Sequence, residues 1–196
     1  MKGHNRHKQI VIIDHNDSFT YNLVHLFNET NNGNVTVITY NKLALRDLNQ
    51  FDKIVLGPGP GLAEEYPHFY EILNKYGSTK SILGICLGHQ AIGQYFDAKL
   101  IHLPQVLHGQ KIKVYCQTDD PIFAGIETPF YAGLYHSWVI DNHNLPASLI
   151  PIAHTDNNLL MAFRYKTHNA IYGLQFHPES YMTPTGKQLI NNWLML

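Results

Sequence analysis

The chain has 196 residues, 44% of them hydrophobic and 15% charged, with a formal net charge of −1. That balance is globular, and it gives no electrostatic footing for a nucleic acid or an anionic membrane surface. The length suits one domain, 1–196, with a full hydrophobic core.

In chain order, the basic opening "MKGHNRHK" reads as a flexible N-terminus over residues 1–8. "IVIID" behind it is too short for the core of a signal peptide or for a membrane span, so the expected compartment is the cytoplasm. "QIVIID" is a buried-strand signal, and "SFTYNLVHLFNETNN" follows with Phe19, Leu23, Leu26 and Phe27 at helical spacing. Asp17 or Ser18 can cap that helix, and Gly33 stands just past its end. "VTVITY" is the next strand, "LALRDLNQ" a short helix, and "DKIVLG" a strand that stops at glycines. A helix across Phe69 to Tyr76 leads to the strand "SILGI". Alternating strands and helices predict an α/β fold with an open, mostly parallel sheet and helices on both faces. The second half changes character: "QKIKVY", "PFYAGLY", "ASLIPIAH", "LLMAFRY" and "AIYGLQF" are strands without long helices between them, which predicts antiparallel additions at the sheet edge. "PTGKQLINNWL" closes as a helix with Leu189, Ile190, Trp193 and Leu194 on one stripe.

Three stretches carry chemistry. Gly84-Ile85-Cys86-Leu87-Gly88 has the spacing of a nucleophile elbow, with cysteine at the turn between a strand and a helix. There a sulfur meets the helix N-terminus, whose dipole and free N–H groups favour an anion, and the Leu87 N–H points where an oxyanion would form. A small buried cysteine filling a tight turn fits the same five residues. Gln175-Phe176-His177-Pro178-Glu179-Ser180 follows another strand; two residues apart in extended chain, His177 and Glu179 share a face, as a general base and its orienter would. A surface His-Pro-Glu turn is the alternative. Gly57-Pro58-Gly59-Pro60-Gly61 is a rigid loop whose N–H groups approach a ligand without side chains in the way, or else an ordinary tight turn; no Gly-Lys-Ser/Thr follows, so it is no P-loop. Cys86 and Cys116 form no C-x-x-C pair, and Cys116 reads as a strand cysteine. The thirteen histidines lack repeated ligand spacing: there is no H-E-x-x-H, His89 has no further ligand pair, and His4 with His7 and His15 with His25 read as surface or core histidines. No metal site is expected.

Taken together, "DHNDSFTYNLV", "PGPG", "GICLGHQAI", "VLHG", "YHSWV" and "GLQFHPES" resemble the class I (triad) glutamine amidotransferase domain over roughly Ile10 to Leu194, with the small subunits of anthranilate synthase and aminodeoxychorismate synthase as the nearest likeness. The resemblance implies a flavodoxin-like core and glutaminase activity toward L-glutamine. It implies Cys86 as nucleophile, His177 as general base and acid, and Glu179 as its orienter. Oxyanion donors fall on Gly59 and Leu87, and glutamine-binding positions on Gly59, Pro60, Gly61, Gln90, Ser137 and Trp138. Gln90, four residues after Cys86, lies one helical turn on and so faces the same pocket. The implied partner is a chorismate-using synthase large subunit that receives ammonia and holds any Mg2+, with no cofactor on this chain. A γ-glutamyl hydrolase acting alone and a catalytically silent regulatory subunit are the competing expectations. His15-Asn16, Leu62-Ala63 and "LHGQ" from Leu107 to Gln110 depart from the family's usual residues. In the family those segments lie at the pocket rim or partner surface, and the "DSFTYN" helix start and the "LHGQ" loop are the candidate partner contacts.

Overall fold

A computed structural model describes residues 8–31, 35–167 and 170–196. The expectations for the first seven residues and for Gly33 lie outside them. The first half alternates as its periodicity requires: β1 (Ile10–Asp14), α1 (Thr20–Asn31), β2 (Val35–Thr39), β3 (Lys53–Leu56), α2 (His68–Tyr76), β4 (Ser81–Ile85) and α3 (Leu87–Tyr95). The second half supplies β5 (Leu100–Cys116), β6 (Phe130–Ile140), β7 (Leu149–His154), β8 (Leu160–Tyr165), β9 (Ile171–Leu174) and α4 (Gly186–Met195). Asp17, one of the two expected caps, closes the turn before α1 instead: its carboxylate accepts from the Phe19 N–H at 2.8 Å and its carbonyl from the Thr20 N–H at 3.2 Å. Residues Leu45–Gln50, expected as a short helix, form 3-10 turns instead; so short a segment cannot offset the cost of nucleating an α-helix before β3 begins.

The nine strands lie in the order β2-β1-β3-β4-β9-β8-β7-β5-β6. The first five are mutually parallel and the remaining pairings antiparallel. Strand β9 corrects the expected arrangement: it comes from the second half yet inserts as the parallel neighbour of β4. Its four residues are all buried, which demands cover on both faces, and only the sheet centre provides that. The "LHGQ" stretch is no free loop either. It lies within β5, where Gly109 at φ +64° makes the bulge that shifts register between His108 and Gln110 against β6.

Side chains alternate across β1, so that Ile10 and Ile12 join one core and Val11 and Ile13 the other. On the first face α1 and α4 pack together, Phe27 meeting Trp193 edge-on at 6.0 Å; on the second, α2 and α3 bury Phe69, Ile72, Ala91 and Ile92. No helix among the described residues is long and apolar enough to cross a membrane. Register places Ile13 beside Leu56, Leu56 beside Gly84 and Ile85 beside Leu174. The loops leaving β1, β3, β4 and β9 therefore emerge together at one edge, where open α/β sheets bind ligands.

Beneath that edge His89 of α3 is fully buried, its ring 4.6 Å from that of Phe163, and burial pushes its pKa down to about 3. The unfolded imidazole titrates near 6.5. As pH falls below that value the unfolded chain gains a proton that the fold refuses, so this contribution to stability is complete above 6.5 and is lost toward 3. His89→Leu should lower the slope of unfolding free energy against pH by about 1.4 kcal/mol per pH unit between roughly pH 4 and 6. Urea unfolding across that range measures it, and an unchanged slope would mean that the folded His89 is already charged.

Candidate active site

Cys86 joins β4 to α3 at φ 51° and ψ −99°, a region that side chains with a Cβ rarely occupy. Its N–H donates to the Leu174 carbonyl at 2.8 Å, and its carbonyl accepts the first helical bond from Gln90 N–H at 3.1 Å. The turn is tight enough that a Cβ on Gly84 would come 2.4 Å from the Gly88 oxygen, and one on Gly88 2.1 Å from the Leu56 oxygen. This close approach of backbone to backbone is why the elbow carries glycine on both sides. Leu87 opens α3, so its N–H has no intrahelical acceptor and is available beside the sulfur.

His177 and Glu179 follow β9. Nδ1 of the imidazole and Oε1 of the carboxylate are 2.7 Å apart, and both side chains are buried. That bond sets the tautomer: Nδ1–H donates to Glu179, leaving Nε2 for chemistry. Nε2 is buried and left for Cys86, the other group besides Glu179 that acts on the ring. Burial pulls the imidazole's pKa down, yet the charges of Glu179 and Cys86 hold it well above 6.5. The ring lies near Phe19 at 5.5 Å and Tyr135 at 5.0 Å. Its backbone is pinned to β6: the His177 N–H donates to Gly133 at 3.1 Å, while the Thr183 hydroxyl donates to the His177 carbonyl at 2.7 Å and accepts from the Gly133 N–H at 3.0 Å.

The Gly57–Gly61 loop rests on an aromatic floor. A Cβ on Gly59 would meet His15 Cβ at 2.5 Å and Leu87 Cδ2 at 2.8 Å. His15 stacks on Phe69 at 4.4 Å and shares a proton with His68, Nε2 to Nε2, at 2.9 Å. Burial lowers both imidazoles, to about 3 for His15 and about 4 for His68, so the pair is neutral near pH 7. The Tyr66 hydroxyl donates to the Pro60 carbonyl at 3.1 Å. Two of the departing positions are therefore not at a rim: His15 is buried beneath Gly59, and Ala63 is in the core.

A cavity of about 250 Å³ opens over these elements. Gly59, Pro60 and Gly61 line it from the loop, Cys86, Leu87 and Gln90 from the elbow, and Ser137 and Trp138 from β6. His177 and Glu179 are not among its lining residues; they lie behind, enclosed. β6 is also the last strand of the sheet, so the edge position of Ser137 and Trp138 and their place at the pocket go together. Sequence reasoning placed the segment with His108 at the rim or partner surface but gave no role to Val106, Tyr135 or His136, and β5 and β6 bring all four to the same cavity. Burial, with the charge of His177, lowers the His136 imidazole to about 4. It also assigned no role to Gln175, although a glutamine ending an apolar strand was a visible signal. Among the described residues no three His, Cys, Asp or Glu side chains gather as a metal ion requires. What remains is a thiol, a buried imidazole–carboxylate pair and free backbone donors, the parts of an acyl-transfer site with a covalent intermediate.

Comparison with known proteins agrees in kind. The family model described as glutamine amidotransferase class-I matches residues 11–196. Anthranilate synthase component 2 of Pyropia yezoensis is 38% identical over 187 residues, covering 94% of this chain and 98% of its own. The protein of the same name from Pseudomonas aeruginosa is 36% identical over 192 residues, covering 94% of each. The crystal structure of a glutamine amidotransferase from Thermotoga maritima superposes with a TM-score of 0.74 at 21% identity, covering 88% of this chain and 76% of that one, a likeness of fold.

The backbone strain at Cys86 has a measurable consequence. Cys86→Gly removes the Cβ that the elbow disfavours, whereas Cys86→Ala keeps it. Relief of about 1–3 kcal/mol, less about 0.5–1 kcal/mol for the added chain entropy of glycine, should leave the glycine variant about 1 kcal/mol the more stable in thermal unfolding. Equal melting temperatures would show that the elbow is unstrained.

Proposed function

The chain belongs to the class-I glutamine amidotransferase family, and we propose that it is the glutaminase subunit of a chorismate-using synthase, hydrolysing L-glutamine to L-glutamate and passing on the ammonia. The observation that carries this reading is the enclosed His177–Glu179 pair behind a cysteine in a strained elbow. Against the pull of burial, the charges of Glu179 and Cys86 raise the pKa of His177, which favours an imidazolium beside a thiolate. The Cys86 thiolate attacks the side-chain amide carbon of glutamine, and the oxyanion forms between the N–H groups of Gly59 and Leu87. His177 gives its Nε2 proton to the departing nitrogen, which leaves as ammonia, and a γ-glutamyl thioester remains. A water molecule, deprotonated by the now neutral Nε2, adds to the thioester carbon; glutamate leaves and the thiolate–imidazolium pair is restored. Glu179 offsets the imidazolium charge throughout. Gln90, Pro60, Gly61, Ser137 and Trp138 hold the amino-acid end of the substrate.

Ammonia in neutral water is mostly protonated and then is no nucleophile, so its value depends on direct delivery. The names of the relatives support a synthase partner. The proposed docking surface joins the start of α1, where Tyr21 is exposed and Phe19 packs near His177, with the Leu107–Gln110 bulge of β5. The intact set Cys86, His177 and Glu179 argues against a silent regulatory subunit.

Cys86→Ala should abolish glutamine hydrolysis, and a tenth of parental activity retained would overturn the assignment. Glu179→Gln keeps an acceptor for Nδ1–H but removes the charge, so kcat should fall about a hundredfold or more with KM changed little. The product is decided by supplying chorismate and glutamine together with an anthranilate synthase or an aminodeoxychorismate synthase large subunit. Anthranilate or aminodeoxychorismate names the branch, and glutamine hydrolysis with neither product removes the partner reading alone.

A further inference from the structure

Gln175 is a completely buried amide at the end of β9, where the packing alone would favour a hydrophobe. Its backbone N–H is fixed to the Met161 carbonyl at 2.9 Å. Its side chain lies between two groups: Nε2 is 3.8 Å from Cys86 Sγ, and Oε1 accepts from Gln90 Nε2 at 3.3 Å. Gln90 Nε2 also donates to the backbone carbonyl of Trp138 at 2.9 Å.

This row of contacts has a direction. The Trp138 carbonyl can only accept, so Gln90 must turn its NH2 toward it. The second hydrogen of that same NH2 faces Gln175, which must answer with its oxygen. Gln175 is then left with its NH2 against the sulfur. Reversed, Gln90 would set its oxygen against those of Trp138 and Gln175, and Gln175 would set NH2 against NH2 and present a carbonyl to the sulfur.

We infer that Gln175 is a further catalytic residue, an N–H donor that stabilises the Cys86 thiolate, and that the Trp138 carbonyl orients it through Gln90. A buried N–H aimed at an anion is a charge-assisted bond, stronger than the same bond to a neutral thiol, so it favours the reactive form. The row also ties the nucleophile to β6, which carries Ser137 and Trp138. A change at the substrate-holding strand reaches the sulfur through two amides without passing through His177.

The inference rests on Cys86 being the nucleophile, but its test needs no glutamine turnover. Alkylation of Cys86 by iodoacetamide is followed against pH, with peptide mass spectrometry separating Cys86 from Cys116. Gln175→Met preserves length and approximate volume while removing the donor. Its alkylation midpoint should move up by about one pH unit, with kcat for glutamine at least about tenfold lower. Gln90→Met leaves Gln175 without its orienter, and its midpoint should move the same way by less. A structural role alone would change melting temperature or rate at every pH without moving the midpoint. Midpoints of both variants coinciding with the parent would overturn the inference. Failure of the functional reading shows separately, as a parent that alkylates normally but does not hydrolyse glutamine with a synthase present.

Discussion

A histidine and a glutamate 2.7 Å apart, both withdrawn from water, impose the strictest condition on this fold. Each buried ion forfeits hydration worth several kcal/mol, recovered only when geometry holds the charges together. The sequence supplies Pro178 as a stiffener, but the clamp is tertiary. Thr183 bonds the His177 carbonyl and the Gly133 N–H together, and Gly133 accepts the His177 N–H. Gly133 has no room for a side chain, since a Cβ there would stand 2.7 Å from Ser180 Oγ. The imidazole–carboxylate pair borne by the β9 loop is thus held in place by β6, four strands away in the sheet order.

The insertion of β9 beside β4 makes this clamp relevant to the cysteine. Cys86 N–H bonds to Leu174, the last residue of β9, so elbow and histidine loop leave the sheet from adjacent strands in fixed register. An antiparallel edge strand would have carried His177 to the far side of the molecule. The long β5–β6 hairpin pairs with β7 through Tyr115 and Cys116, and farther along it lines the cavity with Val106, His108 and Tyr135.

The Gly57–Gly61 loop depends on a different kind of support. Glycine and proline make it stiff, but its height above the sheet is set by what lies below. Here that is a cluster of His15, His68, Tyr66 and Phe69 with a neutral imidazole–imidazole bond at its centre. Packing of this density transmits small displacements, so residues that touch no substrate determine where the Gly59 N–H points.

The sequence by itself determined the parallel half of the sheet, the elbow and the His-Pro-Glu unit. Each follows from local properties: apolar period, glycine at a turn, and two side chains on one face of an extended segment. Through the family resemblance of its motifs it also brought out part of the cavity lining, from Gly59 to Gly61, Gln90, Ser137 and Trp138. The tertiary structure alone decided that β9 sits at the sheet centre, that "LHGQ" is a bulge in a strand, that His15 lies under the loop, and that Gln175 reaches the sulfur. None of these placements can be read locally: the glutamine ending an apolar strand was visible, but not the sulfur it meets. An apolar run of four residues is the same at an edge or a centre, and a buried histidine is spelled like an exposed one. Their roles come from partners distant in sequence, as Gln175 meets Cys86 across 89 positions, and only the close packing of the folded chain selects those partners.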